Sequence, residues 1–143
     1  MQLLQNNHSK YLHIAYMCMI FVFTISISAK LSAEQINANL AFPSAQGFGK
    51  YATGGKGGEL YIVTSLADQA DKPIEGTLRY AVEQKHPRTI VFAVSGVIKL
   101  VDELKISHGN ITIAGQSSPG GITLIGAPVI VSSSTNVIIR YMC

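Results

Sequence analysis

Cysteine is scarce here: the 143 residues hold two. Two cysteines build no disulfide framework, and neither has a partner at metal-ligand spacing. Cys18 falls inside an apolar run with no lipobox before it, and Cys143 is the last residue. An excess of one charge is also missing. Of the eleven Lys and Arg residues, Lys10 and Lys30 precede Glu34, and from there onward nine basic residues face eight acidic ones. A nucleic-acid reader carries a clear basic stripe, so the charge balance argues against that partner. An acidic polysaccharide is left open by the charge count without being supported by it.

Long apolar runs are limited to one, the 17 residues Tyr11 to Ile27, interrupted by His13 and Thr24. A polar start with Lys10 precedes it, and the small residues Ser26, Ser28, Ala29, Ser32 and Ala33 close it. This pattern predicts a signal peptide over 1–33, cut after Ala29 or Ala33. An uncleaved anchor is the lesser alternative, because the run lies at the lower edge of what spans a bilayer. The expected layout is therefore leader 1–33, linker 34–40 and one small domain over 41–143, secreted or periplasmic and off the membrane once the leader is removed.

Within the domain, helix signals are confined to one place. Thr77 stands as N-cap for Leu78 to Lys85, where Leu78, Ala81 and Val82 recur at the spacing of a buried helix face. His86, at its end, would complement the helix dipole as a cation. Glu59 to Thr64 (ELYIVT) reads as a strand, and Ser65 to Gly76 as a loop. From Thr89 the chain turns to short apolar runs closed by Gly, Ser, Asn or Pro: TIVFAVSG, VIKLVDELKI, NITIAG, GITLIG, PVIVSSS and NVIIRY. So many short strands without helices favour an all-β architecture. Asn110-Ile-Thr-Ile and Asn136-Val-Ile-Ile share one form 26 residues apart, and Ile90 precedes Ile111 by 21 in a looser match. That period predicts a solenoid whose asparagines and aliphatic residues stack in ladders; a β-sandwich is the alternative on pattern alone.

What the chain has in abundance is glycine: six of its 13 fall in the twelve positions Gly47 to Gly58. GxxxxGK[ST] fails, since Gly54 is followed by Gly55, and the GxGxxA imitation Gly47 to Ala52 lacks a preceding strand and a following helix. The cluster is read as a turn or close approach feeding a strand. The other polar groups give no site. Asp102 and Glu103, placed in a strand, would point to opposite faces. Asp68 and Asp71 lie in a loop with no third carboxylate nearby for calcium. His86 and His108 lack metal-ligating neighbours. Ser132 to Thr135 has no histidine partner and reads as a turn. Asn110-Ile-Thr112 spells a glycosylation sequon, usable at a surface and useless in a buried ladder. Arg140 points outward with Ile138, facing solvent or, in a β-helix groove, acidic sugars.

Taken together, AFPSAQGFGKYATGGKGGELYIVTSLAD, GTLRYAVEQKHPRTIVFAVSGVIKL, NITIAGQSSPGGITLIG and NVIIRY, in this order from Ala41 to Met142, resemble the amino-terminal part of secreted pectate lyases. The resemblance implies a right-handed single-stranded parallel β-helix, about three coils of it here, with Thr77 to Lys85 as a short cap on its open end. It implies a monomeric enzyme that cleaves polygalacturonate by β-elimination: calcium acidifies the C5 proton, an arginine removes it and the C4 oxygen leaves. It also implies that the calcium-binding aspartates and the arginine come from later coils. No catalytic, cofactor-binding or metal role therefore falls on a residue of this chain, Arg140 included. The expectation is an inactive amino-terminal portion of a lyase. The rivals are a non-catalytic β-helix module, binding polysaccharide or serving as an adhesin, and a β-helix hydrolase on the same polymers.

Overall fold

The computed structural model describes residues 40–143, together with Tyr16, Met17 and Met19; the leader, linker and Cys18 expectations lie outside the described residues. The chain divides into two compact units, Met1–Pro43 and Ser44–Cys143. No helix among the described residues is long and apolar enough to cross a membrane.

The second unit is built from eight short strands and one helix: β1 (Glu59–Val63), α1 (Leu78–Glu83), β2 (Arg88–Phe92), β3 (Gly96–Lys99), β4 (Leu104–Ile106), β5 (Ile111–Ala114), β6 (Ile122–Ile125), β7 (Val129–Val131) and β8 (Val137–Arg140). Every strand pairing among them is parallel: β1-β2-β5-β8 form one sheet, β3 and β6 a second, β4 and β7 a third. A chain that returns to the same three sheets in the same order is a parallel β-helix. The sandwich alternative falls, since it requires antiparallel strands.

Alternation explains which side chains line the interior. Leu104 and Ile106 are buried while Lys105 between them is exposed, and along β2 Arg88, Ile90 and Phe92 are buried with half-buried Thr89 and Val91 between. Register stacks the inward residues from coil to coil: Tyr61 on Ile90, Ile90 on Ile113, Ile113 on Ile139. Each fully buried Ile or Leu in such a stack contributes about 1.5–3 kcal/mol. The 26-residue repeat holds, because Ile111 pairs with Val137 one position after the two asparagines. The looser match is corrected. Ile90 pairs with Ile113, not Ile111, because β2 opens on Arg88, an inward-facing charge that an apolar pattern passes over.

α1 covers the β1 end of this interior. Leu78, Ala81 and Val82 are buried as the spacing predicts, packed among β1, β2 and β4. The Thr77 hydroxyl accepts from Tyr80 N–H at 3.4 Å and donates to Ile74 C=O at 2.6 Å, the expected N-cap. The helix is two residues shorter than its periodicity, since Gln84 is already extended and its side-chain amide donates back to Tyr80 C=O at 2.8 Å. VIKLVDELKI, one run in sequence, is two strands separated by a bend at Val101 and Asp102.

Candidate functional site

The glycine segment lies against the outside of the four-stranded sheet. A Cβ at Gly55 would sit 1.8 Å from Arg88 C=O, and one at Gly54 would sit 2.1 Å from Thr112 Oγ1. The closeness is used: Gly55 N–H donates to Thr112 Oγ1 at 2.9 Å, and Glu59 N–H to Pro87 C=O at 2.9 Å. Of the two readings of the cluster, close approach is the one that these glycines realise. An N–H spent on a neighbouring strand is not offered to a phosphate.

Two arginines that the sequence reading passed over hold the capped end together. Arg88 is fully buried, and its guanidinium is hydrogen-bonded to backbone carbonyls only. Nε donates to Ala81 C=O at 2.8 Å, Nη1 to His86 C=O at 3.1 Å and Gly109 C=O at 3.4 Å, and Nη2 to His108 C=O at 3.1 Å and Val82 C=O. Burial pushes its pKa down, with Tyr61 acting weakly the other way. It remains a cation, because arginine starts from above about 12. The positive charge at the end of α1 is thus Arg88 and not His86, whose expected role is corrected. His86 Nε2 instead sits 2.9 Å from Tyr61 Oη and 3.0 Å from Glu59 Oε2. Burial first, then the hydrogen bond and charge of Glu59, push the Tyr61 phenol up.

Arg79 is the second arginine. Its Nε and Nη2 grip both oxygens of Asp68 at 2.7 and 2.8 Å, with the two side chains 5% and 1% exposed. Nη1 and Nη2 also donate to Glu103 and Asp102 C=O, each at 2.8 Å. Burial pushes the Asp68 carboxyl up, but the hydrogen bonds from Arg79 and from Val101 N–H, with the Arg79 charge, outweigh it and hold the group below the usual carboxylate range. A bidentate arginine pair of this kind clamps the loop before α1 to the bend before β4. Its one sequence signal was a charge placed beside Leu78 and three residues before Val82.

The remaining candidates stay apart. Asp71, Asp102 and Glu103 are exposed, the last two in the bend and not in a strand as expected. Ser134 Oγ donates to Ile106 C=O at 2.8 Å within a turn that contains Ser133 at φ 53°. Asn136 Nδ2 donates to Asn110 Oδ1 at 3.1 Å, which is the predicted asparagine ladder, and both residues are exposed. Arg140 pairs in register with Ala114, and its guanidinium carbon lies 5.1 Å from the centre of the Tyr141 ring. It is half-buried and rests on an aromatic face.

Calcium takes about 6 to 8 oxygens. Among the described residues no group of three or more His, Cys, Asp or Glu side chains gathers. Asp68, the most enclosed carboxylate described above, already spends both oxygens on Arg79 and Val101 N–H. The described residues do not fit a calcium ion, and no catalytic step is drawn through one.

No protein-family model matches the chain. Curated relatives do. The chain is 47% identical over 106 residues to a probable pectate lyase C of Emericella nidulans, matching 73% of this chain and 24% of that one. It is 44% identical over 110 residues to that of Aspergillus terreus, matching 76% and 25%, and 45% identical over 97 residues to probable pectate lyase 5 of Arabidopsis thaliana, matching 67% and 23%. Among solved structures it is similar to Jun a 1, the major allergen from cedar pollen, at TM-score 0.64 and 34% identity, over 68% of this chain and 28% of that one. The chain spans about a quarter of the length of these relatives. With its parallel coils and its stacked register, the chain belongs to the pectate lyase family.

Proposed function

We propose that the chain forms the first coils of a secreted polysaccharide lyase that cleaves polygalacturonate by calcium-assisted β-elimination. In this reading residues 1–33 are its leader, 34–40 a linker, and 41–143 the amino-terminal part of the β-helix domain. The calcium ligands and the proton-abstracting arginine are assigned to coils beyond β8, and the chain on its own is inactive. The observation that carries the reading is the 41–47% identity to fungal pectate lyases together with coils that stack in parallel register. The role left to these residues is to close one end of the solenoid, through α1, Arg88 and the Arg79–Asp68 clamp.

The test has two arms, both read as ultraviolet absorbance of unsaturated uronides released from polygalacturonate. The chain alone, with calcium added, is expected to release none; release would overturn the absence of catalytic residues. A chimera carrying this segment in place of the matching quarter of the Emericella nidulans relative is expected to be active and to lose activity on chelation. A folded chimera that binds polygalacturonate without cleaving it would favour the non-catalytic module instead.

A further inference from the structure

The sequon Asn110-Ile111-Thr112 is the one motif that neither the fold nor the proposed activity absorbs, and its use depends on where the asparagine sits. In the structure Asn110 is exposed, just ahead of β5, in the left-handed region at φ 52° that asparagine adopts more readily than most residues. Its backbone is anchored on both sides: its carbonyl accepts from Arg88 N–H at 3.0 Å, and its N–H donates to Thr135 C=O at 3.0 Å. Its side chain enters the ladder through the oxygen, which accepts from Asn136 Nδ2 at 3.1 Å. The nitrogen, the atom that would be modified, is not the ladder atom.

We infer that Asn110 is an acceptor for an N-linked glycan whenever the chain passes through a eukaryotic secretory route, and that the folded coil carries the glycan without losing its ladder. The donor is a lipid-diphosphate-linked oligosaccharide supplied by that compartment. The bond from sugar C1 to the diphosphate oxygen breaks, a bond from C1 to Asn110 Nδ2 forms, and one amide proton leaves as the lipid diphosphate departs. The product is a secondary amide. It has one N–H fewer and an unchanged carbonyl, so Oδ1 still accepts from Asn136. The Emericella, Aspergillus and Arabidopsis relatives come from organisms that own this route.

The full chain, leader included, is secreted from a yeast and analysed by peptide mapping and by mobility before and after glycosidase release. The expected result is a glycan on Asn110 of the wild type, a mobility shift lost in Asn110→Gln, and a shift kept in Asn136→Gln, which removes the ladder and leaves the sequon. Thr112→Ser, which preserves both the sequon and a hydroxyl for Gly55 N–H, keeps the modification too. Melting of the glycosylated protein is expected at the temperature of the enzymatically deglycosylated one. An unmodified Asn110 in the secreted wild type, or a large fall in melting temperature caused by the glycan, would overturn the inference.

Discussion

At the scale of single residues, the least replaceable side chain in the described unit is a charge. Arg88 is fully buried and fills the space between the end of α1 and the turn that leads into β5, donating to five carbonyls. A buried acceptor left without a donor costs about 1–3 kcal/mol. Arg88→Met is therefore expected to lower unfolding free energy by at least about 3 kcal/mol in urea titrations. Arg88→Lys, which keeps the charge with a single donor head, is expected to fall between. Asp68 gives a pH signature. Its folded pKa lies below the unfolded one of about 3.9, so its contribution is present above that pH and is lost as pH falls through the folded value. Melting temperature should drop on acidification below about pH 4, and Asp68→Asn should flatten that limb while lowering stability at neutral pH. An unchanged acid limb in the variant would assign the effect to other carboxylates.

At the scale of elements, the cap and the glycine segment make separate predictions. Thr77→Ala removes both the N-cap acceptor and the bond to Ile74 C=O, and is expected to cost about 1–2 kcal/mol, read by thermal or chemical melting. Gly55→Ala places a methyl group 1.8 Å from a backbone oxygen that strand pairing holds in place. The cost expected is above the about 1–3 kcal/mol of ordinary overpacking, and Gly57→Ala, with open space around its Cβ, should be milder despite its φ of 77°. The positions of strands and helix were legible in the sequence because Ile90, Ile111 and Leu78 announce burial by type and spacing. The asparagine ladder was legible because its two rungs repeat with their neighbours. Arg79 and Arg88 were not, since a charged side chain signals solvent until the carbonyls and the carboxylate around it are known, and those come from residues 11 to 24 positions away. The bend at Val101 and Asp102 stayed hidden for a related reason: apolar residues continue on both sides of it.

At the scale of the whole molecule, the two ends of the described β-helix differ. The β1 end is covered by α1, whereas β8 pairs, among the described strands, only with β5. Beside it Leu104, Ile113, Leu124, Val129, Val131, Ile139 and Met142 line an apolar cleft. An apolar end bordered by free strand edges invites pairing with other chains. The isolated chain is expected to elute from gel filtration as concentration-dependent assemblies, and Ile139→Lys to shift it toward monomer. A sharp monomer peak with cooperative melting of the wild type would count against this.

The spacing of the paired residues has one more consequence. Along the largest sheet Glu59 stands on Arg88, Arg88 on Ile111 and Ile111 on Val137, so successive turns of the chain consume 29, 23 and 26 residues while the strands stay in step. The strands act as a fixed gauge, and the difference in length is taken up at the corners. A corner can therefore gain or lose several residues without disturbing the rungs above and below it, so peptides grafted at Ser118–Gly120 would be displayed at the surface on an unchanged frame.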